Sequence, residues 1–267
     1  MSNQISILQL TDQHIMAAAD DKLLGINTDY YFQACLKQAI QARGQQAPFD
    51  LILLTGDLAQ EPCVASYRRI LNHLVIYPIP CVCLPGNHDD FELMQQILNT
   101  QSVSCQKKVV LHNWQVICLN SQKQDDAAGY LTNDELQFLE YSLTNNPQYH
   151  ALIAVHHHCL ATQSLWMDTM IIENSRALWA IIDQCPQVKA IITGHIHQTM
   201  DKKIDAVRVL GAPSTCFQFT PGSSDFCIDD TAPGYRTIEL YSDGRIESEV
   251  VRLAEPFVGL MSDCHGY

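Results

Sequence analysis

The sequence predicts an α/β sandwich of two packed mixed β-sheets flanked by helices. Two patterns carry this reading. Through the first half, short apolar runs of strand character alternate with helical segments, the arrangement of parallel strands joined by crossover helices. From about residue 203 the chain turns strand-rich, and Ser242-Asp243-Gly244 between two alternating runs is a hairpin signal. No internal repeat, low-complexity tract or long linker interrupts the 267 residues. The expectation is therefore one domain over 1–267, with motifs in 8–200, a strand-rich part over 203–253 and a tail over 254–267.

The elements follow in order. Ile5-Ser6-Ile7-Leu8-Gln9-Leu10 reads as a strand and runs into Thr11-Asp12-Gln13-His14. Asn27 to Arg43 reads as a helix, capped by Asn27 or Thr28 and stopped by Gly44. Leu51-Ile52-Leu53-Leu54 has the continuous apolar character of a strand buried on both faces, and ends in Thr55-Gly56-Asp57. A helix is expected near 65–76. Cys81-Val82-Cys83-Leu84 leads into Pro85-Gly86-Asn87-His88-Asp89, with a further helix over 91–98. Thr132 and Glu135 stand in capping-box spacing at the start of another helix. Leu152-Ile153-Ala154-Val155 precedes His156-His157-His158. After a helix over 174–184, Val188-Lys189-Ala190-Ile191-Ile192 precedes Thr193-Gly194-His195-Ile196-His197. Arg236 to Tyr241 and Arg245 to Leu253 form the predicted hairpin.

Singly, these polar residues say little. An Asp after a strand is commonly a turn residue, a buried His commonly a satisfied core residue, and His-x-His occurs in many loops. The conjunction is informative: five strand-to-turn junctions carry D-x-H, G-D, G-N-H-D, H-H and G-H-x-H in one chain. Strand ends meeting at one edge gather such ligands into a dinuclear metal site, which activates water for attack on phosphorus.

The ordered motifs resemble the calcineurin-like metallophosphoesterase superfamily. Leu23-Leu24-Gly25-Ile26-Asn27-Thr28, the triple His, Gly194-His195-Ile196-His197-Gln198, Pro213-Ser214-Thr215-Cys216, Ala232-Pro233-Gly234-Tyr235-Arg236-Thr237 and the terminal Gly266-Tyr267 are more closely similar to its class III bacterial cyclic AMP phosphodiesterases. The match spans nearly the whole chain and is weakest around 100–130. It implies the family's four-layer sandwich and hydrolysis of 3′,5′-cyclic AMP to 5′-AMP by a hydroxide bridging two metals. It places a first metal on Asp12, His14, Asp57 and His197, and a second on Asp57, Asn87, His156 and His195, with Asp57 shared. His14, Asp57, Asn87, His88, His156 and His197 would contact substrate. His88 would act as the catalytic residue, donating a proton to the leaving oxygen or binding a phosphate oxygen, with Asp89 or Asp57 orienting it. The mixed oxygen and nitrogen shell suits two divalent ions, iron(II) or manganese(II) by resemblance, with zinc also compatible.

Among the three adjacent histidines, register against the related His-His-Pro-Pro pattern favours His156 as the ligand, with His157 as the alternative. On an extended strand His156 and His158 share one face and His157 points away, with either neighbour able to support the ligand by hydrogen bonding.

Composition narrows the setting. Sixteen basic against 29 acidic residues give a net charge of −13, which disfavours nucleic acid as a partner, whereas bound cations would draw in a small cyclic nucleotide locally. Eleven cysteines, an odd number in a long chain with no signal peptide before the first strand, read as reduced thiols of a cytoplasmic protein. Cys81 and Cys83 read as core residues of one strand face. No apolar run reaches a membrane span. The oligomeric state is left open, a homodimer included. Ser164 to Asn174 reads first as an apolar stripe, with a lid or dimer contact as the alternative. The loop 218–233 could wall the active site, with Phe217, Phe219 or Phe226 stacking on a base. Two other readings compete: a broader metallophosphodiesterase for 2′,3′-cyclic nucleotides or glycerophosphodiesters, and a non-catalytic binding scaffold. The second is disfavoured because all seven ligands and His88 are present.

Overall fold

In the computed structural model, residues 4–44, 47–262 and 266 are described. Tyr267, half of the terminal Gly-Tyr pair, lies outside them. The strands are β1 (Gln4–Leu10), β2 (Leu51–Thr55), β3 (Cys81–Leu84), β4 (Val103–Ser104), β5 (Lys108–Leu111), β6 (Trp114–Leu119), β7 (His150–Val155), β8 (Val188–Thr193), β9 (Met200–Ile204), β10 (Val207–Gly211), β11 (Gln218–Phe219), β12 (Ile228–Asp229), β13 (Gly234–Tyr241) and β14 (Ile246–Arg252). The helices are α1 (Thr28–Arg43), α2 (Val64–Leu74), α3 (Phe91–Leu98), α4 (Asn133–Thr144) and α5 (Ser175–Ile182). One six-stranded sheet runs β14-β13-β1-β2-β3-β4 and the other β5-β6-β7-β8-β10-β9. Both are mixed: β1, β2, β3 and β4 are parallel, as are β6, β7, β8 and β10, while β13, β14, β5 and β9 add antiparallel edges.

Alternation along the strands builds the layers. Ile5, Ile7, Leu51, Leu53, Val82 and Leu84 face the second sheet and meet Trp114, Leu152, Ala154 and Ile192 between the sheets. Their neighbours Leu8, Leu10, Ile52, Leu54, Cys81 and Cys83 point the other way, into the core under α1, α2 and α3. On the far side, Ile153, Val155 and Ile191 pack under α4 and α5. Period 2 on strands buried on both faces thus yields helix, sheet, sheet, helix. Two polar side chains in the inter-sheet layer bond across it. The buried Arg236 donates to the carbonyls of Gly211 (2.8 Å) and Met200 (3.0 Å). Gln9 donates to Thr55 Oγ1 (3.0 Å) and to the Thr193 carbonyl (3.1 Å), joining the two sheets beside the loops described below.

Helix punctuation follows local chemistry. Asn27 caps α1 through Oδ1, which accepts from Tyr30 N at 2.9 Å, and Gly44 at φ 75° ends it. Thr132 caps α4 by accepting from Glu135 N at 3.3 Å, but Glu135 does not reach back to complete a box. Its carboxylate accepts instead from Lys107 Nζ (2.7 Å) and Asn120 N (3.1 Å), a tertiary demand that overrides the local one. Strands β4, β5 and β6 occupy the region of weak resemblance, where no strand was read from sequence. The ten described cysteines are free thiols, and among the described residues no helix is long and apolar enough to cross a membrane.

Candidate metal centre

Parallel order places the carboxyl ends of β1, β2, β3, β7 and β8 at one edge, and all eight candidate residues sit in the turns that follow them. These turns are laced together by their backbones. Asp12 N donates to Gly56 O (3.0 Å), His14 N to Asp57 O (3.0 Å), and Gly194 N to His156 O (3.0 Å). Five of the seven proposed ligands, Asp12, His14, Asp57, His195 and His197, have φ between 46° and 65°. Non-glycine residues in this left-handed region cost on the order of 1–2 kcal/mol each. Five in one cluster mark a site held in place by its surroundings.

The donors converge. His14 Nε2 lies 3.3 Å from His197 Nε2 and 3.8 Å from Asp57 Oδ2, and His197 Nε2 lies 3.4 Å from Asp12 Oδ1. His156 Nε2 is 3.2 Å from the same Asp57 Oδ2 and 3.3 Å from Asn87 Oδ1. The His195 ring centroid is 5.1 Å from that of His156. Ligands about 2.1 Å from a shared ion stand about 3.0–3.4 Å apart, so the nearest pairs fit metal binding. The outer nitrogens support the same reading. His14 Nδ1 faces Gln60 Oε1 (2.8 Å), His156 Nδ1 the Thr55 carbonyl (2.8 Å), and His197 Nδ1 the Phe217 carbonyl (2.9 Å). Donating there leaves each Nε2 lone pair aimed inward.

Charge makes the same case. Asp12 and Asp57 are at most 2% exposed, and among the described residues neither pairs with Lys or Arg. Buried carboxylates require positive charge nearby. Burial alone would raise the Asp57 carboxyl, yet the imidazoles of His156, His88 and His14 hold it well below the usual range. Burial lowers His14 to about 3 against the pull of Asp57, and also lowers His195. His156 is the exception: burial pulls it down, but the Asp57 charge and hydrogen bond raise it to about 9. A proton on His156 then occupies the role that a cation would take. The residues present fit a dinuclear group.

The turns also hold residues that the motifs did not reveal. Asp89, expected to orient His88, instead accepts from Gly86 N (2.9 Å), Leu58 N (3.0 Å), Ala59 N (3.1 Å) and Tyr67 OH (3.0 Å). It ties the Asp57 turn to the Asn87 turn, and burial followed by the nearby Asp57 pushes its carboxyl up to about 6. Asp89→Ala leaves those donors without an acceptor and should cost about 3 kcal/mol, measured by urea unfolding of the metal-free protein. His88 is oriented through its backbone, its N–H donating to Asp57 Oδ1 at 2.9 Å. Cys216 was absent from the expected ligand set, yet its sulfur lies within 4.8 Å of His14 and His197 donor atoms. Burial pushes its thiol up, and Sγ donates to the Asp12 carbonyl at 3.2 Å, so it serves the loop as a neutral thiol. Gln60 carries no sequence signal of its role.

β7 ends at Val155, so the three histidines do not alternate as a strand would. All are fully buried, and His156 and His157 both turn their rings toward His195, with centroids 5.1 and 4.6 Å away. The expected opposition of His157 to its neighbours is therefore corrected by the turn.

Glycine at 86 is a steric requirement. A Cβ there would collide with the Asp57 carboxylate and amide and stand 2.7 Å from His156 Nε2. Its φ is not left-handed, so Gly86→Ala tests space alone. A displacement on the order of 1 Å costs about 100-fold in rate. Gly86→Ala should lose at least that in diester cleavage, with metal analysis showing fewer than two ions per chain.

The sequence matches the family described as Calcineurin-like phosphoesterase over residues 5–199. The chain belongs to that family. It is 40% identical over 253 residues to the 3′,5′-cyclic adenosine monophosphate phosphodiesterase CpdA of Escherichia coli, covering 94% of this chain and 91% of that one. It is 39% identical to the 3′,5′-cyclic-nucleotide phosphodiesterase alr5338 of Nostoc, covering 93% and 92%. Among solved structures, a dimetal phosphatase from Danio rerio superposes with a TM-score of 0.64 at 12% identity, covering 93% of this chain and 98% of that one. GAP50, the anchor in the inner membrane complex of Plasmodium, gives 0.63 at 10% identity, covering 94% and 85%. These two likenesses speak to the family's fold alone.

Proposed function

We propose that the protein is a 3′,5′-cyclic AMP phosphodiesterase that releases 5′-AMP at a dinuclear metal centre. What carries this reading is 34–40% identity, over nearly the whole chain, to proteins of that name. The 94% coverage extends past the family motifs into the loops that wall the site. Asp12, His14, Asp57 and His197 would hold one ion, and Asp57, Asn87, His156 and His195 the other. Iron(II) or manganese(II) suits this oxygen and nitrogen shell, and zinc is compatible. Bound there, two ions supply a nucleophilic hydroxide near neutral pH and neutralise charge on the phosphodiester.

The chain supplies the rest. His88 is half-buried and faces a cavity of about 290 Å³ together with Asn87 and His195. Its ring stands edge-on to His14 at 4.9 Å between centroids, within reach of the same centre. There it donates a proton to the departing 3′-oxygen. The opposite wall is apolar: Trp166, Met170, Phe219 and Phe226 line it. Trp166 meets Phe219 and Phe226 edge to face at 4.9 and 5.4 Å. Ser164 to Asn174 thus contributes to the cavity, and the loop 218–233 closes it. A space of this size admits a mononucleotide, and the net charge of −13 opposes a polynucleotide. The free thiols favour the cytoplasm as its compartment.

The test is protein reconstituted with manganese and assayed on 3′,5′-cyclic AMP, 2′,3′-cyclic AMP and bis(p-nitrophenyl) phosphate. The expected result is 5′-AMP from the first. Cleavage of the synthetic diester without release of 5′-AMP would sink the assignment.

A further inference from the structure

Three of the four histidines in the proposed ligand set have their outer ring nitrogen tied, to Gln60, to the Thr55 carbonyl and to the Phe217 carbonyl. His195 differs. Its backbone N–H donates to the Asp12 carboxylate at 3.0 Å, but its buried Nε2 makes no hydrogen bond among the described residues. The neighbouring ring is His157, tilted 53° with centroids 4.6 Å apart and fully buried. Among the described residues its Nε2 likewise makes no hydrogen bond of good geometry, while its Nδ1 lies 2.7 Å from Ser121 Oγ and the Ala127 carbonyl also stands beside the ring. One ring nitrogen from each of His156, His157 and His195 falls within 4.8 Å of the others.

We propose that Ser121 and His157 position His195. The proposal rests on reading the cluster as a two-metal centre. A neutral imidazole offers one donor and one acceptor. With Nδ1–H of His157 donating to Ser121 Oγ, the Nε2 lone pair of His157 accepts Nε2–H of His195. That bond fixes the His195 tautomer and leaves its Nδ1 lone pair for the second metal position. The two rings stand with centroids 4.6 Å apart and one nitrogen of each within 4.8 Å, so a rotation of the rings closes the bond and gives both Nε2 atoms a partner.

The surroundings select His157 over His158. The His158 ring lies nearly parallel to His195, 16° apart at 5.7 Å, and so presents its face instead of an in-plane nitrogen. His158 Nε2 is directed at Asp168 Oδ1, 3.5 Å away. The His157 ring also has little room to turn elsewhere. A Cβ at Gly129 would meet its Cβ and Cγ at 2.7 Å, so the loop following Ser121 packs flush against it. Outer partners of this kind hold a ligating ring in orientation, and their loss weakens metal binding about 10–100-fold.

The experiment titrates manganese(II) into metal-free protein by calorimetry, with wild type, His157→Phe, His157→Gln and Ser121→Ala compared. Wild type should bind two ions. His157→Phe keeps the ring volume without its nitrogens, and should hold one ion normally and the second about 10–100-fold more weakly. His157→Gln keeps an acceptor and should recover most of that loss, and Ser121→Ala should show a smaller loss. If His157→Phe does not fold, the Gln and Ser121→Ala variants decide through the same second-site affinity. Wild-type affinity at both sites in His157→Phe and Ser121→Ala overturns the proposal, as does a Gln variant as weak as Phe. Fewer than two ions on wild type overturns the two-metal reading instead.

Discussion

Asp57→Asn should abolish turnover, with cyclic AMP hydrolysis falling more than about 1,000-fold, several kcal/mol of lost stabilisation. The reason is the place of one oxygen. Asp57 Oδ2 lies 3.8 Å from His14 Nε2 and 3.2 Å from His156 Nε2, so it faces both halves of the donor cluster. Substitution by the amide removes one negative charge from both positions and turns a possible second acceptor into a donor. The fold should survive, because the amide oxygen can still accept the His88 backbone N–H that Oδ1 now takes at 2.9 Å. Metal analysis should find less than one ion per chain, alongside a circular dichroism spectrum unchanged from wild type. Two ions retained together with wild-type turnover would remove Asp57 from the bridging role.

His88→Ala should behave differently. The side chain is not in the proposed ligand set, so two ions should remain bound. Cyclic AMP turnover should nonetheless fall about 100–10,000-fold, the range for losing a positioned general acid. Leaving-group chemistry isolates the cause. A p-nitrophenolate needs little protonation to depart, whereas a ribose 3′-oxygen does, so the loss on bis(p-nitrophenyl) phosphate should be much smaller. Equal losses on both substrates would assign His88 to holding a phosphate oxygen.

Much of this was legible because period 2 and the strand-end motifs are local. Leu51 to Leu54 has to be buried on both faces, and Thr55-Gly56-Asp57 has to turn, whatever lies beside them. The same holds for Val188 to Thr193 and the Gly194-His195-Ile196-His197 turn. Helix ends were legible where the cap is local, as at Asn27 and Gly44. They were less so at Glu135, whose carboxylate answers Lys107 and Asn120 across the fold. Strands β4 and β5 went unread since short edge strands carry little periodicity, and β4 is two residues long, whereas β6 is an interior strand of six buried residues whose apolar run Val116 to Leu119 was legible and missed.

Asp89 shows where sequence reasoning runs out at the site itself. Its position beside His88 suggested a catalytic partner. Four donors from Leu58, Ala59, Gly86 and Tyr67 make it a clamp between turns, and three of those four come from the turn after β2 and from helix α2, more than twenty residues earlier. His157 shows the same limit. Whether a residue after a strand alternates or turns depends on where the strand ends, and β7 ends one residue before the histidines.

The sequence by itself determined the layered α/β fold and the identity of eight polar residues at strand ends, because both follow from local periodicity and turn chemistry. The tertiary structure decided which of their atoms face one another, that five backbones are held left-handed, and that Asp89, Gln60, Cys216 and Ser121 support them. Those outcomes depend on loops from two sheets meeting at one edge, and no spacing along a single chain encodes a distance between them.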